Sequence, residues 1–156
     1  METQQRGFSL IELMVVVSII MTLSAIAAPN LLRSKMAATE ASAVGSLRAL
    51  NTAAITYSTI YGGYPRALSD LGPATAATST SADLIDSVLS SGTKTGYVFT
   101  YSKGATDLNS NVLTYSISAQ PISPGVTGER FFFTDQSGII RSNTDSPASP
   151  SSAPLG

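Results

Sequence analysis

One charge interrupts an apolar stretch that begins at a glycine. From Phe8 to Ala28 the only charged residue is Glu12. A carboxylate in a membrane-like setting costs a few kcal/mol at the bilayer centre and less near the edge, so it calls for a partner. The fitting partner is an amine. A cut between Gly7 and Phe8 would create an amino group four residues before Glu12, and the two charges could then neutralise each other within one chain or between staggered neighbours. The rest of the chain offers little reactive chemistry. It has no histidine and no cysteine, which removes disulfides and every thiolate or imidazole metal ligand. Lys35, Lys94 and Lys103 lie in polar surroundings with no paired acid at a telling spacing, and Asp83 with Asp86 reads as a solvated helix face with a capping role, so no enzyme is expected. Oxygen ligands do cluster near the last expected hairpin: Asp135, Ser137, Asn143 and Asp145 form a candidate weak calcium loop. Their spacing matches no EF-hand, however, and Asp-Gln-Ser-Gly is first of all a good β-turn.

The elements that would position these groups follow from periodicity. Phe8 to Ala28 is 21 residues, roughly 31 Å as a helix and enough to span a bilayer core. Ahead of it, residues 1–7 are short and polar with one basic residue, Arg6. A secretory signal would place its apolar core before the cleavage site, whereas here the apolar core would survive the cut. After Pro29 the pattern becomes one-sided: Met36, Ala43, Leu47, Leu50, Ala54, Tyr57 and Tyr61 recur largely at three- and four-residue steps, while Arg33, Lys35, Thr39, Glu40, Ser46 and Arg48 fall on other faces. Residues 29–61 thus extend the same helix to about 50 residues, roughly 75 Å. Gly62-Gly63 ends it and Tyr64-Pro65 forces extended backbone. Pro29 removes a donor and clashes with the preceding turn, so a kink is expected, with local melting around Ala25 to Leu31 on packing among other helices. A helix that stops at Ala28 and restarts at Asn30 is the alternative.

Residues 62–145 read as a globular head. A short turn is expected over Arg66 to Asp70 and a second helix between Thr80 and Gly92, opened by a capping-box-like Thr80 and Asp83. Strands are expected at Tyr97 to Ser102, Val112 to Ala119, Arg130 to Thr134 and Ile139 to Arg141. The fold class is α+β: a long N-terminal helix packed against a small antiparallel sheet of three to four strands. Residues 146–156, with Pro147, Pro150 and Pro154 among serines and alanines, read as a flexible tail. Net charge is −1, with charged residues at 12%, so no nucleic-acid partner is expected.

The run Gly7-Phe8-Ser9-Leu10-Ile11-Glu12-Leu13 resembles the processing site of type IV pilins and of the related pseudopilins of type II secretion. The resemblance covers roughly Arg6 to Tyr64, with Pro29 where that family interrupts its helix. It implies a prepilin peptidase that cuts after Gly7 and methylates Phe8, and a Glu12 that attracts the Phe8 amine of an adjoining subunit. It also implies a single-pass precursor in the inner membrane, held by lipid before assembly, that an inner-membrane platform builds into a periplasmic or cell-surface homo-oligomeric filament. The calcium loop belongs here too, since major secretion pseudopilins often hold calcium near the C-terminus; otherwise no cofactor is expected. The missing cysteines depart from the many pilins that close a C-terminal loop with a disulfide. Two other readings stand beside this one. A membrane-anchored binding module would never polymerise. An electrically conductive pilus subunit would use Tyr57, Tyr61, Tyr64 and Phe131-Phe132-Phe133 as a ring stack, although core packing explains those rings more cheaply.

Overall fold

A computed structural model of the chain describes residues 7–155. The expected leader, apart from Gly7, and the terminal Gly156 lie outside the described residues. The chain divides into two compact units, Met1–Lys35 and Met36–Gly156. One helix, α1 (Leu10–Tyr61), contributes to both.

In the first unit α1 is apolar on every side. Leu10 through Leu32 expose their large hydrophobic side chains, Leu10 at 75% and Ile20 at 57%. A helix that is apolar all round has no solvent-facing stripe and belongs in lipid or among other helices. Its few polar side chains fit that environment. Ser18 donates to the Met14 carbonyl, Thr22 to that of Ser18 and Asn30 to that of Ile26, so each is satisfied within the helix. Pro29 lies inside α1 with no break at Ala28 or Asn30. Lacking an N–H, it leaves the Ala25 carbonyl without its usual helical donor.

In the second unit α1 becomes one-sided. Ala43, Leu47, Leu50 and Ala54 are buried, as the spacing predicts. Gly62, at φ +79°, ends the helix, and its N–H bonds the Ser58 carbonyl. A 3-10 turn (Leu68–Leu71) and a one-turn helix, α2 (Ser87–Ser90), lead into a six-stranded antiparallel sheet. Its strands are β1 (Thr93–Lys94), β2 (Tyr97–Lys103), β3 (Tyr115–Pro121), β4 (Phe131–Asp135), β5 (Arg141–Asn143) and β6 (Ala153–Pro154), each paired with its sequence neighbours. The register sets Phe99 opposite Ala119 and Ala119 opposite Phe132. All three are buried, and with the α1 stripe they belong to one apolar core. Phe132 points inward while Phe131 and Phe133 are half-buried, as strand alternation requires.

The α+β layout stands, and three details differ from expectation. The sheet has six strands instead of three or four, because the two-residue edge strands β1 and β6 carry no periodic signal. β6 arises from the segment expected as a flexible tail: Ala153 pairs with Ser142, and the Leu155 N–H donates to the Ile140 carbonyl. The second helix shrinks to one turn because the backbone ahead of it is spent elsewhere. The N–H groups of Ala82, Asp83 and Leu84 donate to the carbonyls of Asp70, Gly72 and Leu71, Asp83 adopts φ +54°, and Asp86, rather than Thr80 or Asp83, caps α2 by accepting from the Leu89 N–H at 2.7 Å. Finally, β3 starts at Tyr115 and not at Val112, whose carbonyl accepts the Tyr64 N–H. β5 likewise starts at Arg141, beyond the Asp135-to-Gly138 turn and Ile140.

Candidate functional site

The N-terminal end of α1 is built by Ser9. It precedes the first helical residue, where backbone N–H groups lack intrahelical partners. Glu12, three residues on, turns back so that Oε2 accepts the Ser9 N–H at 2.9 Å. That contact is one half of a capping box, and it places a carboxylate at the positive end of the helix dipole. Glu12 is exposed, as is Phe8, at 87%. The charge expected to need a partner therefore has a local one, a backbone donor one residue beyond the proposed new amino group. Sequence reasoning passed over this role of Ser9, although Ser-x-x-Glu ahead of an apolar run is its usual signal.

Gly7 makes the complementary point. A Cβ built on it would meet nothing within 4 Å. Nothing in the described chain requires glycine there.

The candidate calcium residues do not converge. Asp135 closes the far end of β4, where Oδ1 accepts the Ser137 N–H at 2.9 Å and its carbonyl accepts the Gly138 N–H. Asn143 pairs with Phe131 at the opposite end of the same strand, and its side chain serves a second turn by accepting the Asp145 N–H and donating to Ser146. Four residue steps separate the two ends, roughly 13 Å. Two turns stand where one loop was expected, and among the described residues no group of three or more acidic side chains is placed to hold a metal.

The second unit holds a polar anchor that periodicity hid. Glu40, assigned by spacing to an outer face, is buried. Its Oε1 accepts the backbone N–H of Glu129 at 2.8 Å and of Arg130 at 3.2 Å, while Oε2 accepts Arg130 Nε at 2.7 Å. Burial alone would raise its pKa. The Glu129 N–H, the Arg130 side chain and the Arg130 N–H outweigh that and hold the carboxyl below its ordinary range. Arg130 also lies over the Phe132 ring, and the Tyr97 hydroxyl donates to the Arg130 carbonyl. The aromatic rings partly stack: Tyr101 and Tyr115 are 5.7 Å apart and nearly parallel, and Tyr57 and Tyr61 are 4.6 Å apart and tilted. Burial pushes the Tyr115 hydroxyl up to about 12; these rings are packed as core residues.

Among the described residues, α1 is the one helix long and apolar enough to cross a membrane. The family model for the prokaryotic N-terminal methylation motif matches residues 3–28, about a sixth of the chain. No curated protein and no solved structure matches the chain. The motif points to a structural subunit and not to an enzyme, and with the apolar helix it fits a membrane-anchored precursor. At its N-terminus this chain carries the signature of type IV pilins and pseudopilins.

Proposed function

We propose that the chain is the structural subunit of a type IV pilus-like or type II secretion pseudopilus filament. In this reading a prepilin peptidase cuts after Gly7, Phe8 is methylated, and the chain is stored in the membrane by residues 8–28 until assembly. Lipid is then exchanged for the helices of neighbouring copies, and the product is a periplasmic or cell-surface filament.

The observation that carries the reading is the pairing of Glu12 with an apolar helix that finds no cover in its own chain. Every large hydrophobic side chain from Phe8 to Leu32 is exposed, a surface far beyond what a soluble monomer leaves bare. A capped carboxylate sits at its N-terminal end. A simple anchor needs the apolar helix and has no use for the acid.

Mass spectrometry of the mature protein tests it. The expected N-terminus is N-methyl-Phe8, and Gly7→Val should leave the chain uncut. An intact Met1 in cells that hold an active prepilin peptidase would favour the membrane-anchored binding module. Gene deletion separates the two filament types: surface fibres vanish in one case, and exoproteins accumulate inside the cell in the other.

A further inference from the structure

At the C-terminal end of α1 the second unit encloses a cavity of about 250 Å³, walled by Tyr57, Tyr61, Tyr64, Arg66, Asp70 and the loop at Ser110. It belongs to no feature of the filament reading. Its volume lies below the roughly 300–1,000 Å³ of sites for drug-sized ligands, so it suits a single ring.

The walls narrow the chemistry. Tyr57 is committed: it is buried, its hydroxyl donates to the Ser79 carbonyl, and its ring packs against that of Tyr61 at 4.6 Å, which leaves the half-buried Tyr61 ring at the wall. The hydroxyls of Tyr61 and Tyr64 have no protein partner among the described residues, and neither is a buried unsatisfied atom. They therefore face water or a ligand. Arg66 is exposed and spends one N–H on a long 3.4 Å contact to the Ser110 carbonyl. Asp70 uses Oδ2 to accept the N–H groups of Arg66 and Ala67 at 2.8 and 3.1 Å, leaving Oδ1 as an acceptor. One guanidinium and one carboxylate in the same wall cancel, which removes the net positive charge a phosphate would seek. The abundance of hydroxyl, amide and charged groups disfavours a wholly apolar guest. What remains is a small neutral ring with hydroxyl groups on its rim and a C–H face for Tyr61.

We propose that this cavity binds the terminal pyranose residue of a neutral glycan, with the Tyr61 ring against its C–H face and Arg66 and Asp70 as donor and acceptor for its hydroxyls.

The test uses the full chain in a detergent without a sugar headgroup. Saturation-transfer difference NMR is recorded against the methyl glycosides of galactose, glucose and N-acetylglucosamine, against each free sugar, and against inorganic phosphate. At least one methyl glycoside should bind saturably, with Kd of order 1–10 mM as befits a few hydrogen bonds and one stacked face. Tyr61→Ala and Arg66→Gln should each weaken it at least tenfold, Tyr61→Phe, which keeps the ring, and Tyr64→Phe should weaken it less, and the Arg66→Gln thermal melt should be unchanged. Four results would overturn the proposal: no saturable binding by any methyl glycoside, binding undiminished in both Tyr61→Ala and Arg66→Gln, saturation by phosphate instead, or binding of free sugar without its methyl glycoside.

Discussion

Glu12 and Glu40 share one helix and show how differently a carboxylate can be compensated. Glu12 has a single backbone donor, Ser9, and is otherwise open to whatever approaches. Glutamine would preserve that contact and remove the charge, whereas alanine would remove both. If neighbour-amine pairing drives assembly, Glu12→Gln and Glu12→Ala should both insert in the membrane and both lose most filament yield, counted by electron microscopy or by shear fractionation. A glutamine variant that assembles normally would reduce Glu12 to a helix cap. Glu40 is closed on all sides by Glu129 and Arg130. Its pKa is lowered on folding, so its contribution is present above the unfolded-state value and is lost as pH falls through the lower folded-state value. Glu40→Gln should therefore destabilise the head by about 1–3 kcal/mol at neutral pH. The gap in thermal melts between wild type and variant should close as pH drops below about 4. Legibility differs between the two for a physical reason. Glu12 meets its partner three residues away, within one helical turn, so the Ser-x-x-Glu spacing carried the signal even though the Ser9 contact was passed over. Glu40 meets Arg130 across 90 residues, and nothing local to either shows that a loop will close on the helix.

Elements were legible where one periodicity ran long enough. The apolar half of α1, its one-sided second half and its glycine stop all follow from repeated spacing, and so do the central strands β2, β3 and β4. The short pieces failed because distant backbone decides them. α2 lost its first turns to bonds with the 3-10 turn, and β1 and β6 exist only because a neighbouring edge was free. The cavity was illegible for the same reason: its tyrosines were read as core stripe, and only the Ser110 loop folding over them makes a wall. Two substitutions test α1 itself. Gly45 is exposed in mid-helix, and a Cβ there meets nothing within 4 Å. Gly45→Ala should raise the stability of the isolated chain by about 0.5–1 kcal/mol, read from its thermal melt. Pro29→Ala restores an N–H aimed at the Ala25 carbonyl, a change of about 3 kcal/mol in water. Amide exchange over residues 25–31 should slow in the micelle-bound chain, and filament yield should fall if those residues must melt on assembly.

At the scale of the molecule, the two units divide their tasks by composition. Residues 7–35 keep apolar side chains outward, and Ser18, Thr22 and Asn30 bond within the helix, which serves lipid and neighbouring helices equally well. Residues 36–155 bury a core and turn charges outward, apart from Glu40. The motif match reports on the first unit alone, so what the second unit presents to its surroundings must be read from its own surface, which includes the tyrosine-walled cavity. The closing strand has a bearing on how such a chain survives crowding. β5 would be a bare sheet edge without β6, and bare edges recruit strands from other molecules. Ala153 and Pro154 cover it, and the proline, having no N–H, leaves one donor fewer on the new edge. Removing residues 150–156 should therefore do more than shorten the protein: the truncated chain should form thioflavin-positive aggregates at concentrations where the full chain stays dispersed. In a filament that packs copies side by side, β6 would then keep the heads from pairing edge to edge, so a purification tag that displaces it should undo that safeguard.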